Sequence, residues 1–538
     1  MPLLNWLTRK DDINAAAHAP YRLLEQVAAH SHGDPDTGNM LIQGDNLAAL
    51  KALLPYYAGK VKCIYADPPF NTKQAFPDYD DNLEHTIWLA MLYPLLELQR
   101  DLLSPDGMLF LHIDDNELGY LIAIADEIFG RKNRVSIVTF KQGAATGHKS
   151  INPGMVSTTN FLVVYARNKS QWKPTRLFTG RERDKRYGQF IQNPQEHYTR
   201  WRLMTLTAAF TANKGKKAAE LKKELGEQRY EEELNNFVIA HADRVLRTAR
   251  PEYEAVGEEV REMIDRSVAS PNEYLLLERP GLLPMYFKAG ERLLFYKDKL
   301  KEVDGVLVAG EPLTTLWDDL LSNNLHNEGG VDFPKSKKPE ALIKRALELS
   351  TAAHDLVLDA FLGSGTTAAV AHKMGRRYIG IERGDHALTK CQPRLQAVVD
   401  GEQTGISKAV GWHGGGGFRF YKLGVPVFDE NGHVSSGIRF APLAAHLWFV
   451  STGIPYKGRA TSPFLGSHEG VGYYLLYNGI LGDRSVSGGN VLTGRILASL
   501  PNHDGAKVIF GEGSRLSAER LQAKRITFRQ IPYEIKTR

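Results

Sequence analysis

Within the stretch Asp67-Pro68-Pro69-Phe70-Asn71 the chain sets a carboxylate, a carbonyl held between prolines, an aromatic face and a side-chain amide next to one another. The apolar run Val61 to Ala66 before it is long enough for one buried strand and too short for a helix. The two prolines hold φ fixed and lack N–H groups, so neither extends a ladder or a helix. The expectation is a rigid turn at the carboxyl end of a strand, the edge at which open α/β sheets bind ligands.

These groups suit methylation of an exocyclic amine on a base rotated out of its duplex. The lone pair of adenine N6 is delocalised into the ring and attacks poorly. Two acceptors, the Asp67 carboxylate and the Pro68 carbonyl, could hold the two amine hydrogens and draw the nitrogen towards a tetrahedral geometry. Phe70 would stack on the extruded base while the lone pair faces an incoming methyl group. No strong general base is required, because the proton can leave after the methyl arrives. A plain strand-ending turn accounts for the same residues, so the chemistry depends on a second site that holds a methyl donor.

Asp355 to Thr367 reads as a strand, a glycine turn and a helix start. Gly363 and Gly365 let backbone approach a ligand closely and admit positive φ. The helix N-terminus after them favours a carboxylate or phosphate. Glu382, about twenty residues on at the next strand end, is placed to accept both ribose hydroxyls. The spacing Phe361-x-Gly363-x-Gly365 differs from the Gly-x-Gly-x-x-Gly of dinucleotide sites and argues for S-adenosylmethionine. Core packing for Phe361 and a solvated helix start for Lys338 stay open at this point. Asp45, expected at the end of the strand next to that of Asp67, reads equally as a ligand contact or a helix N-cap.

Positioning these groups falls to an alternating series of elements. Residues 1 to 38 read as a helical preamble, Asn39 to Gln43 as a strand and Leu47 to Leu54 as a helix. Trp88 to Leu103 is an expected helix stopped by the turn Ser104-Pro105-Asp106-Gly107. Met108 to Ile113 is the next strand, and Asp114-Asp115-Asn116 caps a helix from Glu117 to Phe129. Val135 to Lys141 and Phe161 to Ala166 are strands flanking the polar loop Gln142 to Thr159. Helix Ala341 to Ser350, helix Thr366 to Met374 and strand Arg377 to Ile381 resume the rhythm. That alternation implies an α/β fold with a doubly wound, Rossmann-like, mostly parallel sheet.

Residues 170–321 interrupt it. Between Ser170 and Tyr230 there are fourteen Lys or Arg against six Asp or Glu, with Trp172, Phe178, Tyr187, Phe190, Tyr198 and Trp201 interleaved. Phosphate contact plus base stacking would need such a segment. A solvated helical insertion is the alternative, since Lys214 to Glu233 alone reads as a charged surface helix. Towards the C-terminus, residues 401–417 read as a glycine-rich linker and 418–538 as a separate small α/β domain, a candidate for dimerisation or partner docking. Its apolar run Tyr473 to Tyr477 and strand Lys507 to Phe510 carry nothing that looks catalytic.

The chain has 538 residues, 43% hydrophobic and 24% charged, which implies globular protein in several domains. No stretch approaches the roughly 20 apolar residues of a membrane span. Met1 to Lys10 lacks an apolar signal core, so no export signal is expected. Cys63 and Cys391 are too few for a disulfide framework or a cysteine zinc site, and the histidines lack metal spacing. A reducing cytoplasm is the expected location. The net charge of +5 permits a nucleic-acid partner without demanding one.

As an ordered set, these motifs resemble the amino-methyltransferases of DNA, in the beta class, where Asp-Pro-Pro-aromatic precedes Phe-x-Gly-x-Gly. The chain is more closely similar to the modification subunits of type III restriction systems and their solitary relatives. Gly44-Asp45-Asn46, Ala66 to Thr72, Leu102 to Gly130 with His112-Ile113-Asp114-Asp115-Asn116-Glu117, Lys338 to Ile343, and Asp359 to Glu382 carry the likeness. It implies Asp67, Pro68, Pro69 and Phe70 as the catalytic motif. It implies S-adenosylmethionine held by Asp359, Phe361, Gly363, Gly365 and Glu382, with Lys338 and Pro339 at its methionine end and Asp45 near its adenine. The motif aromatic is often Tyr and here is Phe70, which keeps stacking and loses only a hydroxyl contact.

The resemblance also implies a layout: an N-terminal segment 1–38, methyltransferase parts 39–169 and 322–400, and a target-recognition region 170–321 between them. Double-stranded DNA is the implied substrate, with a homodimer or a helicase-nuclease restriction subunit as implied partners. Asp67, rather than Ser, at the first motif position favours adenine N6 over cytosine N4. Cytosine-N4 methylation, and a recognition subunit serving mainly a partner nuclease-helicase, are the alternatives.

Overall fold

The computed structural model describes residues 3–71, 84–143, 154–303, 305–320, 325–331, 337–429, 434–435, 438–481 and 490–531. The chain divides into two compact units, Met1–Thr175 with Thr314–Arg538, and Arg176–Leu313.

The first unit is built on strands β1 (Arg22–Gln26), β2 (Met40–Gln43), β3 (Val61–Ala66), β4 (Leu103–Ile113), β5 (Arg134–Lys141), β6 (Thr159–Ala166), β7 (Leu316–Trp317), β8 (Leu356–Asp359), β9 (Arg377–Glu382) and β10 (Gly417–Pro426). They form one sheet in the order β1-β10-β2-β9-β8-β3-β4-β6-β5-β7. The consecutive strands β10, β2, β9, β8, β3 and β4 run parallel to one another. Parallel strands are covered on both faces, which is why Ile42, Ile64, Leu358 and Ile381 sit in unbroken apolar runs and are wholly buried.

Helices α1 (Asn46–Tyr57), α2 (His85–Leu102), α3 (Leu118–Ala125), α4 (Glu340–Ser350), α5 (Thr366–Lys373) and α6 (Gln392–Val399) belong to this unit. Further on, α7 (Phe440–Thr452) precedes a four-stranded sheet of Phe464–His468, Val471–Leu475, Ala506–Gly511 and Ile526–Gln530. Among the described residues no helix is long and apolar enough to cross a membrane.

The pairing that organises the functional edge is between β3 and β8. Val357 faces Cys63 and Leu358 faces Ile64 in parallel register, although most of the chain lies between them. The two stretches singled out for chemistry therefore leave the sheet side by side at the same end.

Several expectations change. Among its described residues the preamble 1–38 is helical only at Arg9–Asp12 and Ala15–His18, with a short 3-10 turn at Ala28–His30; Arg22–Gln26 is the edge strand β1, antiparallel to β10. Ser104 to Gly107 is a bulge within β4 and not a free turn, because the register with β3 jumps from Val61–Leu103 to Cys63–Met108. Residues 401–417 are not a loose linker. Trp412 donates its indole N–H to the Val398 carbonyl, and a Cβ on Gly416 would come within 2.9 Å of the His372 ring. Gly417–Pro426 then enters the main sheet beside β2, so a boundary at 418 falls inside a strand.

The second unit, described by itself, holds a six-stranded sheet running Leu203–Thr205, Gln189–Ile191, Val245–Ala249, Glu291–Phe295, Met285–Lys288, Leu275–Leu277. A three-stranded sheet of Leu300–Val303, Val306–Pro312 and Phe178–Arg181 accompanies it. The span expected as one helix from Lys214 to Glu233 is broken by Gly215 and Gly226, both at positive φ, into Leu206–Lys214, Ala218–Leu225 and Glu227–Ala240. Tyr187 and Phe190, expected to offer faces to bases, are buried in this unit's core, and Tyr198 and Trp201 pack against a second cluster. Aromatic interleaving here serves the interior.

Candidate active site

At the carboxyl ends of β3, β8 and β9 lies a pocket lined by Asp67, Pro68, Pro69 and Phe70 from one side and by Asp359, Phe361, Gly363 and Glu382 from the other. Tyr65, Lys338, Ile343, Thr366, Thr367 and His386 complete much of its wall. The proline turn is held rigidly. Trp88, buried in α2, donates its indole N–H to the Pro69 carbonyl at 2.8 Å. Asn71 takes φ of +60°, a conformation Asn tolerates better than most residues, and its amide reaches the wholly buried Glu117 at 2.6 Å. His85 meets the same Glu117 oxygen at 2.7 Å.

Asp67 stands between two nitrogen groups. Its Oδ2 is 2.8 Å from the Lys338 ammonium and its Oδ1 is 3.5 Å from His112 Nδ1. Burial holds His112 well below the usual imidazole range, with the nearby Lys338 adding to the effect, so the ring is neutral near pH 7. Asn160 Nδ2 lies 3.0 Å from His112 Nε2. With that amide donating, the ring proton sits on Nδ1, facing the Tyr65 hydroxyl at 3.0 Å and the Asp67 carboxylate. The contact with Asp67 is thus polar and not a salt bridge.

Across the pocket the glycine turn is shaped by its own hydrogen bonds. Gly363 and Gly365 have φ of +55° and +85°. Gly363 N–H donates to Glu382 Oε2 at 2.7 Å and Phe361 N–H donates to Asp359 Oδ1 at 2.8 Å. Burial raises the Glu382 carboxyl above its ordinary range, against the pull of the Gly363 and Gly384 N–H groups. It pushes Asp359 up to about 7, helped by the neighbouring Asp67 and Glu382 charges.

Behind the turn, the wholly buried Arg394 donates to Thr366 Oγ1 and to Glu340, each at 2.8 Å. Lys373 also reaches Glu340 at 2.8 Å. Burial pushes the Glu340 carboxyl up, but Arg394 and Lys373 together bring it below its ordinary value.

Most of the expected residues therefore converge, and three do not. Gly365 is the N-cap residue of α5, set against Cys391 and Arg394 and not among the lining residues. Asp45 is the N-cap of α1, accepting from the Ala48 N–H at 3.1 Å, and is not among the residues lining the pocket. Its strand β2 is separated from β3 by β9 and β8, and is not the next strand over. Pro339 is the N-cap residue of α4 and likewise is not among the lining residues. Lys338 does line the pocket, with its ammonium at Asp67 and 4.8 Å from the centre of the Phe70 ring. Thr72 lies outside the described residues.

Sequence reasoning assigned no role to His112, Asn160, Trp88 or Glu117. A histidine within the apolar run Met108 to Ile113 was the available signal, since such strands seldom carry an unexplained polar side chain.

The family model described as DNA methylase, for N6 and N4 methyltransferases, matches residues 61–392, which takes in both walls of this pocket. The chain belongs to that family. It is 35% identical over 436 residues to the probable type III restriction-modification enzyme HindVI Mod subunit of Haemophilus influenzae, covering 74% of this chain and 55% of that one. It is 28% identical to the EcoPI Mod subunit of Escherichia phage P1, covering 69% of this chain and 60% of that one. The chain thus spans a little over half the length of these curated relatives. Among solved structures, M1.HpyAVI in complex with SAM is similar at 14% identity and a TM-score of 0.31, covering 66% of this chain and 98% of that one.

Proposed function

We propose that this chain methylates adenine N6 in double-stranded DNA at a specific site, with S-adenosylmethionine as methyl donor, as the modification subunit of a restriction-modification system or a solitary relative. The observation that carries the reading is the β3–β8 pairing, which joins the Asp67–Phe70 turn and the Phe361–Glu382 turn in one pocket.

The donor set of that pocket fits the cofactor. Two carboxylates, Asp359 and Glu382, converge with apolar walls from Phe361 and Ile343 on the glycine-turn side of the pocket. A ligand that is cationic, hydroxylated and partly aromatic satisfies such a lining. Glu382 and the Gly363 turn would hold the ribose, Phe361 the purine and Asp359 the positive charge. When bound, S-adenosylmethionine supplies a methyl group made electrophilic by its sulfonium.

The chain's residues do the rest by positioning. Asp67 and the Pro68 carbonyl would take the two hydrogens of the target amine, and Phe70 would stack on the base. Because Trp88 and Asn71 fix the turn on either flank, the acceptors are set in place before the base arrives, which lowers the entropic part of the barrier. His112, neutral and directed at Asp67, supports the carboxylate without competing for the proton released after transfer.

The names of the Mod relatives support a place for this chain in a restriction-modification system, and Asp67 rather than Ser at the first motif position supports adenine. Sequencing DNA from cells expressing the chain, with modified-base detection, tests it. N6-methyladenine at one recurrent motif, absent with Asp67→Ala, is the expected result. N4-methylcytosine, or unmodified DNA, would refute it.

A further inference from the structure

Lys338 stands in the place that the proposed reaction reserves for the target base. Its ammonium is 2.8 Å from Asp67 Oδ2 and 4.8 Å from the Phe70 ring centre, so it uses both the acceptor and the aromatic face that an extruded amine would use. Both side chains of the pair are largely buried, at 11% and 19% exposure, so the contact is only partly screened by water.

Resting on the methyltransferase reading above, we infer that Lys338 is a placeholder for the target amine, which must swing off Asp67 and Phe70 before a base can enter. The chemistry of the exchange is that of like for like. A cationic N–H donor on a carboxylate and over a ring is replaced by a neutral N–H donor on the same carboxylate and over the same ring. Until then the pair keeps the Asp67 carboxylate from standing uncompensated in a cleft that also holds Asp359 and Glu382. The cost falls on base affinity, which is reduced by the fraction of molecules in which the ammonium is in place. The residue is a positioning residue and a competitor for the base, and it is not assigned to the donor's methionine end.

The test compares the full chain with Lys338→Met and Lys338→Arg on two duplexes carrying the site found by modified-base sequencing. In one, the target adenine faces an abasic position; in the other, the target itself is abasic. Lys338→Met is expected to bind the adenine duplex about five- to tenfold more tightly than the parent, with unchanged affinity for the duplex lacking the base. Lys338→Arg, which keeps the cation, should stay near the parent on both and report that the fold is retained. Calorimetry should give the Met variant an S-adenosylmethionine affinity within about twofold of the parent.

A Met variant that loses donor affinity without gaining on the adenine duplex would overturn the inference in favour of a cofactor role. Equal weakening on both duplexes would overturn it in favour of a backbone contact, and no change on either would show that the pair does not compete. A parent chain that methylates no site would fail earlier, at the reading itself, and would remove the inference with it.

Discussion

Gly363 donates its backbone N–H to Glu382 Oε2 at 2.7 Å, tying the glycine turn after β8 to the carboxylate at the end of β9. One residue thus shapes the cradle and, in the proposed complex, receives the ribose. Glu382→Ala should lower S-adenosylmethionine affinity by about 10- to 100-fold, the usual worth of charge-assisted hydrogen bonds. Turnover at saturating donor should change far less. Isothermal calorimetry with steady-state kinetics reads both quantities, and unchanged affinity would count against the ribose role.

Asp67 lies on the other wall, so its loss should leave donor binding intact while methylation disappears. For Asp67→Ala we expect a rate below detection and a donor dissociation constant within a fewfold of the parent, measured by methyl incorporation and calorimetry. Normal turnover in that variant would refute the catalytic assignment.

Asp359 gives the pH dependence. Burial raises its folded-state carboxyl to about 7, above the unfolded value near 4. The stability it contributes is therefore complete below about pH 4 and is lost as the pH rises through about 7. Asp359→Asn, which can still accept from the Phe361 N–H, should be more stable than the parent at pH 8, by on the order of 1 to 3 kcal/mol, and nearly equal at pH 4. Urea unfolding at the two values decides this. Binding of a cationic donor should strengthen between pH 6 and 8 in the parent and lose that dependence in the variant.

Asn71 joins a positive φ to a hydrogen bond on a wholly buried carboxylate. Asn71→Ala should destabilise by about 2 to 4 kcal/mol, combining backbone strain with a weakened Glu117. Asn71→Gly relieves the strain alone and should recover about 1 kcal/mol of it. Equal stability of the two variants in urea would remove the backbone contribution.

Much of this site was legible because its markers are local. Prolines at 68 and 69 end β3, and glycines at 363 and 365 supply the backbone that the turn after β8 requires. Apolar runs with no polar alternation announced the parallel strands between them. What the sequence concealed was spatial.

Strand β1 is half-exposed and reads like the polar segments around it, and β10 begins in glycine, so the one looked like preamble and the other like the end of a linker and the start of a separate domain. The Asp45 carboxylate is spent on a helix cap, which its spacing from Ala48 permitted as readily as a ligand contact. The aromatics at 187 and 190 lie in a segment rich in charge along the sequence but have interior neighbours in space, which only the fold of the second unit brings together. Placement of Lys338 at Asp67 joins residues from distant parts of the chain, and no local pattern announces that.

The position of Gly417–Pro426 between Arg22–Gln26 and Met40–Gln43 has a consequence during synthesis. A ribosome delivers the two flanking strands first and the one that separates them hundreds of residues later. Over that interval the early pair carries open edges, available to each other or to a neighbouring nascent chain. Among the described strands of this sheet, the one that completes its margin is the last to emerge, so its two flanking strands wait longest for their partner.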